Sequence, residues 1–404
     1  MMQLVNAIIE NPVLLTIPVI SAIIGWGTNK VAIDLTFYPL EYKGIKPWLG
    51  WQGIIPARSH VMGDRVVQLT VSKLLDIQHE FSKLDPAIVA REMKPGVDIL
   101  TRKIVNQVAQ KEIPLVWFVL PKNVKENVYN SIAGKLPSVI QSMMKEIKEE
   151  IHSFIDFKQL LLTELLRDKE LLNTLFKKCG EKEFLFIERS GLYFGFLLGI
   201  PQLILWVYFP IWWILPLFGL VNGYLTNWIA MKMIFEPQKP VNLFLFTLQG
   251  LFLKRQKEVS EAFAEIMAKE VVSVKKIFEE MLQGSASERF TSLIVKYVSK
   301  AVDQSAGVSK NIIHLISGRE KFNEIKVIAC QVFIEELPQS VSGVLRYAEE
   351  TIKTKEILTS KIMELTPIEF TGLLRPIFQE DEWKLIALGG VLGAVAGFIQ
   401  LLFT

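Results

Sequence analysis

The chain has 404 residues and a formal net charge of +3, which gives no electrostatic footprint for nucleic acid. Half of its residues are hydrophobic and the mean hydropathy is +0.31, high for a soluble protein, yet 22% of residues are charged. Those values are compatible only if charges and apolar runs are segregated along the chain, and they are. Met1 to Asn29, Ser190 to Met231 and Leu385 to Thr404 contain no Lys or Arg, so all 45 basic residues lie in the two intervening stretches. Cys179 and Cys330 are the two cysteines, and neither sits in a CxxC or Cys/His spacing. That pattern predicts a reduced, cytosolic setting without a disulfide framework.

A membrane-spanning helix needs about 20 mainly apolar residues. The first candidate runs from about residue 13 to 35, with Thr28, Asn29, Lys30 and Asp34 in its second half. It lacks the basic start and small-residue cleavage site of a signal peptide, so it reads as a span. A charged segment of about 36–190 follows. Here Val124, Val128, Ile132, Leu136, Ile140, Met143, Ile147 and Ile151 recur at helical spacing. Pro95-Gly96, Pro121 and Pro137 punctuate the pattern, and no convincing alternating strand is visible. Spans at about 191–209 and 211–234 form a tight hairpin around Pro210, with no charge from Ser190 to Met231. A second charged segment, about 235–384, repeats the helical periodicity. Val259, Phe263, Ile266, Val271, Val274, Phe278 and Met281 make one such series, and Pro338 interrupts another. The last span is about 385–403. Both charged segments mix signs on their polar faces, as in Lys145 to Glu150, which fits packed helical cores better than helices lying on lipid.

Basic residues flank the spans on one side only, so the positive-inside rule places both charged segments in the cytoplasm and both termini outside. Tryptophans stand at the expected interfaces: Trp48 and Trp51, then Trp206, Trp212 and Trp213, then Trp383.

The chain repeats itself. Gly25-Trp-Gly-Thr28-Asn29-Lys-Val-Ala32 matches Gly223-Tyr-Leu-Thr226-Asn227-Trp-Ile-Ala230, 198 residues later. Pro18, Phe37 and Pro39 match Pro216, Phe235 and Pro237 in the same register, and Gly53 with Arg58 matches Gly250 with Arg255 one residue shorter. At the exits, Gly191, Gly195, Gly199 and Gln202 match Gly389, Gly393, Gly397 and Gln400. The fold class predicted is therefore an all-α integral membrane protein made by tandem duplication. Copy one is 1–209 and copy two 210–404, each a membrane helix, a helical cytoplasmic domain and a second membrane helix, four spans in total. An even number of spans per copy makes the repeats parallel, about an axis along the membrane normal.

Few residues point to chemistry. Thr28, Asn29, Thr226 and Asn227 need polar partners inside a membrane. They read as helix-to-helix hydrogen bonds, with a duplicated polar site for an ion or headgroup as the sharper alternative. Lys30 with Asp34, and Lys232 with Glu236, are four apart and can pair or reach the interface. The glycine ladders put small residues at every fourth position, the spacing that lets helices approach closely. Gln202 and Gln400 end those ladders, where one amide can bond across the contact. Arg58 with Arg65, and Lys254 with Arg255, form basic patches suited to anchoring or to anionic headgroups. His60, His79, His152 and His314 are scattered, and neither HExxH nor a phosphate-binding glycine loop occurs, so no catalytic residue, metal site or cofactor is predicted.

The segment Gly25 to Pro39, with Gly53 to Arg58 and Asp381 to Gln400, resembles the bacterial membrane proteins catalogued as domain of unknown function 445, YheB-like. Gly223 to Pro237 repeats the first of these elements. The resemblance covers almost the whole chain and implies a bacterial cytoplasmic-membrane protein. It carries over no activity and no catalytic residue. Pro56 is replaced by Leu253 in the second copy, so the copies differ at that turn. The leading functional expectation is a structural or interaction protein, a scaffold with two cytoplasmic helical domains. Its partners would be the lipid bilayer, anionic headgroups, a second copy or another envelope protein, and no nucleic acid. The alternative is a transporter or lipid-handling protein with a polar site at the repeat interface; an enzyme has the least support.

Overall fold

The computed structural model describes residues 9–45, 49–243, 246–306, 309–372 and 382–401. The helices that position the features below are, in chain order, α1 (Thr16–Phe37), α2 (Lys94–Glu112), α3 (Pro114–Val119), α4 (Lys122–Ala133), α5 (Leu136–Glu149), α6 (Lys169–Cys179), α7 (Glu181–Tyr208), α8 (Ile214–Phe235), α9 (Gln256–Ile266), α10 (Ser287–Ala306), α11 (Ser309–Ser340) and α12 (Glu382–Leu401). Among the described residues, three helical stretches are long and apolar enough to cross a membrane: Pro12–Phe37, Glu181–Tyr208 and Ile214–Phe235. The described part of the fourth apolar stretch, Ile386–Leu401, is shorter. Residues 402–404, the end of the expected fourth span, and Trp48, Arg375 and Asp381 lie outside the described residues.

The architecture is all-helical with one departure from the expectation of no strands. Two antiparallel ribbons follow α1 and α8. β1 (Lys43–Ile45) pairs with β2 (Leu49–Trp51), Lys43 opposite Trp51. β3 (Val241–Leu243) pairs with β4 (Phe246–Leu248), Val241 opposite Leu248. Strands of three residues are too short to show a period of two in the sequence. Both ribbons are entered the same way. α1 ends where Tyr38 turns extended (φ −132°, ψ 155°) before a cis Pro39, and α8 ends where Glu236 does so (φ −128°, ψ 148°) before a cis Pro237. Both are left the same way too: Gly53 N–H donates to Pro39 O at 2.9 Å, and Gly250 N–H to Pro237 O at 3.1 Å. Glycine is required at both exits. A Cβ on Gly53 would lie 2.7 Å from the Phe37 carbonyl carbon, and one on Gly250 2.7 Å from Ile234 O. A single turn of π-helix then appears at Thr70–Leu74 and again at Met267–Val271.

The chain forms two compact units, and each draws on both halves of the sequence. One comprises Met1–Thr70, Leu162–Ile266 and Leu358–Thr404. In it α1 packs along α7 and α8 along α12, and the two pairs meet chiefly through α7 with α8 and α1 with α12. α6 packs on α9 beside them. Phe37 and Phe184 meet edge to face at 5.0 Å between ring centres, and Phe252 stacks on Phe370 at 4.6 Å, aromatic contacts that lock the entry to each apolar helix pair. The apolar helices carry hydrophobic residues on all faces, as expected of helices surrounded by protein and lipid rather than water.

The other unit comprises Val71–Leu161 and Met267–Ile357. Here α2 packs on α11, α11 on α10 and α10 on α5, with α4 against α2. The periodic series read from 124 to 151 is carried by α4, α5 and a last short turn, Ile151–Phe154, and not by one long helix. Pro121 precedes α4 and Pro137 stands in the first turn of α5, where a missing N–H costs nothing. Pro338 lies inside α11, near its end.

Candidate functional site

Thr28, Asn29, Gln202, Thr226, Asn227 and Gln400 are all buried in the apolar helices, and the glycine ladders explain how. α1 and α7 run antiparallel with Gly25 against Gly191, Ser21 and Ala22 against Gly195, and Pro18 against Gly199. α8 and α12 repeat this with Gly223 against Gly389, Gly219 against Gly393, and Leu215 with Pro216 against Gly397. A Cβ at any of these ladder glycines would strike the backbone of the opposite helix or the asparagine beside it. The ladders therefore lie within the helix pairs and not toward lipid.

Removing the Cβ also makes room for the asparagines. Asn29 Nδ2 donates to Ile187 O at 2.8 Å, across from α1 to α7, and would lie 2.7 Å from a Cβ on Gly191. In the second pair the Asn227 amide occupies the corresponding place against Gly389. Thr28 and Thr226 instead donate within their own helices, to Gly25 O at 3.2 Å and Gly223 O at 3.3 Å. Each Thr thus serves its own backbone and each Asn faces a neighbouring helix. Asn29 Oδ1 is buried without a hydrogen-bond partner.

About 22 Å further along α7, at 1.5 Å per residue, a second polar cluster joins all four apolar helices. Gln202 Oε1 accepts from Ser21 Oγ of α1 at 2.8 Å and from Asn222 Nδ2 of α8 at 3.5 Å, while Gln202 Nε2 donates to Gln400 Oε1 of α12 at 3.3 Å. All four residues are buried, Gln202 completely. Gln202 and Gln400 are the paired ends of the glycine ladders. Ser21 and Asn222 have no such kinship: their positions in the other half are Gly219 and Ile24. Sequence reasoning passed over both. A single amide and a single hydroxyl in apolar runs were the signal, and a polar side chain in such a run needs a partner.

One ion-paired cluster beside these helices is drawn inward. Arg255 is mostly covered: its Nη1 donates to Glu183 Oε2 at 2.6 Å and its Nε to Glu258 Oε2 at 3.0 Å, and Lys182 reaches the same Glu258 oxygen at 2.7 Å. Those bonds, from Lys182 first and then Arg255, hold the Glu258 carboxyl below its ordinary value. Arg58, at the matching place in the first half, is exposed, as are Arg65 and Lys254. Lys30 approaches Glu188 at 3.8 Å, and Lys232 pairs with Glu236 at 3.0 Å. Among the described residues, no three His, Cys, Asp or Glu side chains gather closely enough to hold a metal ion.

Over a 95-residue stretch, 23% of its length, the chain is 29% identical to a UPF0754 membrane protein of Staphylococcus epidermidis and 27% identical to one of Staphylococcus haemolyticus. A UPF0754 membrane protein of Staphylococcus aureus matches at 24% over the same length. The matched stretch spans 25% of each relative, so the likeness covers about a quarter of the curated proteins. No family model matches the chain, and no solved structure matches it. The chain is thus similar, over that stretch, to proteins whose names state a membrane location and no activity.

Proposed function

We propose that the chain is a four-span bacterial cytoplasmic-membrane protein built by tandem parallel duplication, and that its membrane part is a packed anchor for helical segments that bind another protein. The bond between Gln202 and Gln400 carries this reading. Two residues one repeat apart, each at the end of a glycine ladder, touch each other, the contact expected beside an axis that relates two parallel copies. The matching ribbons, π-turns and proline entries support the duplication, and the relatives' names support the membrane. The resemblance to the domain 445 proteins is compatible with both. The Gln202 amide bonds to Ser21, Asn222 and Gln400 on the three other apolar helices, which favours an anchor over a path for solute at the repeat interface.

Topology tests the membrane half of the proposal. Asn130→Cys and Lys300→Cys both put a thiol at an exposed position. The native cysteines are buried, and burial, with Glu183 nearby, pushes Cys179 up to about 12, so it stays protonated and unreactive at neutral pH. An impermeant maleimide should label residues 130 and 300 only after the cells are opened. Labelling in intact cells would overturn the orientation. The anchor half is tested by Asn29→Leu combined with Asn227→Leu. That variant should insert, lose some stability and retain the same proteins after crosslinking in native membranes. A stable, inserted variant that loses a bound ion or headgroup would turn the reading to the conduit.

A further inference from the structure

The unit formed by Val71–Leu161 and Met267–Ile357 holds a partly open cavity of about 520 Å³ between α2, α3, α4, α5, α10 and α11. Its walls are almost wholly aliphatic and aromatic, with Leu100, Val108, Ile132, Ile140, Ala301 and Phe333 on different sides. The volume falls in the roughly 300–1,000 Å³ range of sites that hold small organic ligands. With so few polar groups on its walls, the cavity suits a ligand held by apolar contact.

The short helix α3 forms one side of it and has two contrasting faces. Trp117 is buried and lines the cavity with its neighbours Ile113 and Leu120. The polar edge of Trp117 is already used: its Nε1 donates to Asn106 Oδ1 at 3.2 Å, and Tyr129 Oη donates to the same oxygen at 2.7 Å. Only the apolar part of the ring remains to face a ligand. On the outside of the same turn Leu115 is 84% exposed, Phe118 85% and Val119 74%, among the most exposed large apolar residues of the chain. Lys111 and Lys122 flank them, and Lys125 lies 5.3 Å from the centre of the Trp117 ring. Apolar side chains at a protruding tip, ringed by lysines, match the two layers of an anionic bilayer surface, acyl chains beneath phosphates.

We infer that this unit is a lipid-binding module: its cavity takes an acyl chain of a bilayer phospholipid, and the α3 tip enters the bilayer surface beside the cavity wall. The choice of a phospholipid as occupant rests on the membrane reading above. The charge at the tip agrees with it, since three lysines and one carboxylate, Glu112, stand between residues 111 and 125. The cavity and the exposed tip are continuous through one helical turn, so a chain leaving the bilayer at Phe118 meets Trp117 and Ile113 next.

The test uses the full chain reconstituted in vesicles of phosphatidylglycerol and phosphatidylethanolamine, doped with a phospholipid that carries a diazirine at the end of one acyl chain. After irradiation, lipid adducts are mapped by peptide mass spectrometry. Adducts are expected on α1, α7 and α8 and also on cavity residues of α2, α4 and α10. Val108→Trp and Ile132→Trp each fill part of the cavity from a different wall. Either should lower cavity adducts roughly tenfold, the effect of excluding about two methylenes of the chain. Two fillers guard against one that fails to fold, which circular dichroism detects. Leu115→Ser with Phe118→Ser should slow the appearance of cavity adducts and leave those on the apolar helices unchanged. Adducts on the apolar helices alone, or cavity adducts indifferent to both fillers, would overturn the inference and leave the membrane reading standing. An absence of adducts from α1, α7 and α8 would instead overturn the membrane reading.

Discussion

Gly27 and Gly195 both lie in apolar helices, and their surroundings are opposite. A Cβ on Gly27 meets nothing within 4 Å, whereas one on Gly195 would lie 2.6 Å from Ser21 O and 3.1 Å from the Ala22 Cα. Gly27→Ala should therefore stabilise the fold by about 0.5–1 kcal/mol, through the lower backbone entropy of alanine. Gly195→Ala should destabilise it by about 1–3 kcal/mol, the usual result of overpacking, and Gly195→Leu by more. Thermal unfolding in detergent gives the order. If Gly195→Leu melts with the wild type, α7 does not pack on α1 through its ladder. The sequence showed the ladder's spacing but not which glycines matter. Gly27 sits among Gly25, Thr28 and Asn29, and the one sequence cue that it differs is its counterpart Leu225, where the others recur as Gly223, Thr226 and Asn227.

At the level of helices, the Gln202 cluster and the Asn29 bond are two clasps on one bundle. Gln202→Leu removes bonds from Ser21 and Asn222 and to Gln400, whereas Asn29→Leu removes one to Ile187. Interhelical bonds in membranes average about 0.6 kcal/mol each, so the expected losses are about 2 and about 0.6 kcal/mol. Unfolding of the reconstituted protein by SDS titration measures both, and equal losses would mean that Gln202 contributes no more than a single interhelical bond. The apolar helices were legible because length and hydropathy alone define them. Gln202 and Gln400 were legible as amides able to bond across a helix contact. The rest of that cluster was not, because Ser21 and Asn222 obey no repeat and meet only when two helix pairs come together. Arg255 shows the same limit. Its sequence context suggested a headgroup contact, and its partner Glu183 lies 72 residues away. The two ribbons escaped notice for want of length, and the cavity because periodicity identifies apolar faces without saying whether they close on one another.

For the whole molecule, the two compact units carry different sensitivities. In the unit containing the cavity, Glu146 accepts hydrogen bonds from Lys296 Nζ at 2.7 Å and Tyr297 Oη at 2.8 Å, and Tyr297 also donates to Ser142 O at 3.1 Å. The bonds from Lys296, then Tyr297, hold the Glu146 carboxyl below its ordinary value. Burial, then the bond to Glu146, pushes Tyr297 up to about 12. A carboxyl lowered by folding adds stability that is complete above the unfolded-state value of about 4.3 and is lost as pH falls through the folded value. The wild type should therefore exceed Glu146→Gln in melting temperature at pH 7, and the gap should shrink as the pH falls below about 4.3. A gap that stayed constant into acid would assign the effect of the substitution to packing and not to charge. The division into units also governs how the protein is made. α7 leaves the ribosome well after its partner α1, and α12 equally long after its partner α8. Roughly 150 residues separate Phe235 from Glu382, and at about 5–20 residues per second the Gly219 and Gly223 face of α8 waits roughly seven to thirty seconds for its mate. During that interval the α1–α7 pair, already complete, is the surface against which α8 can rest, so the order of synthesis itself makes the first helix pair the template for the second.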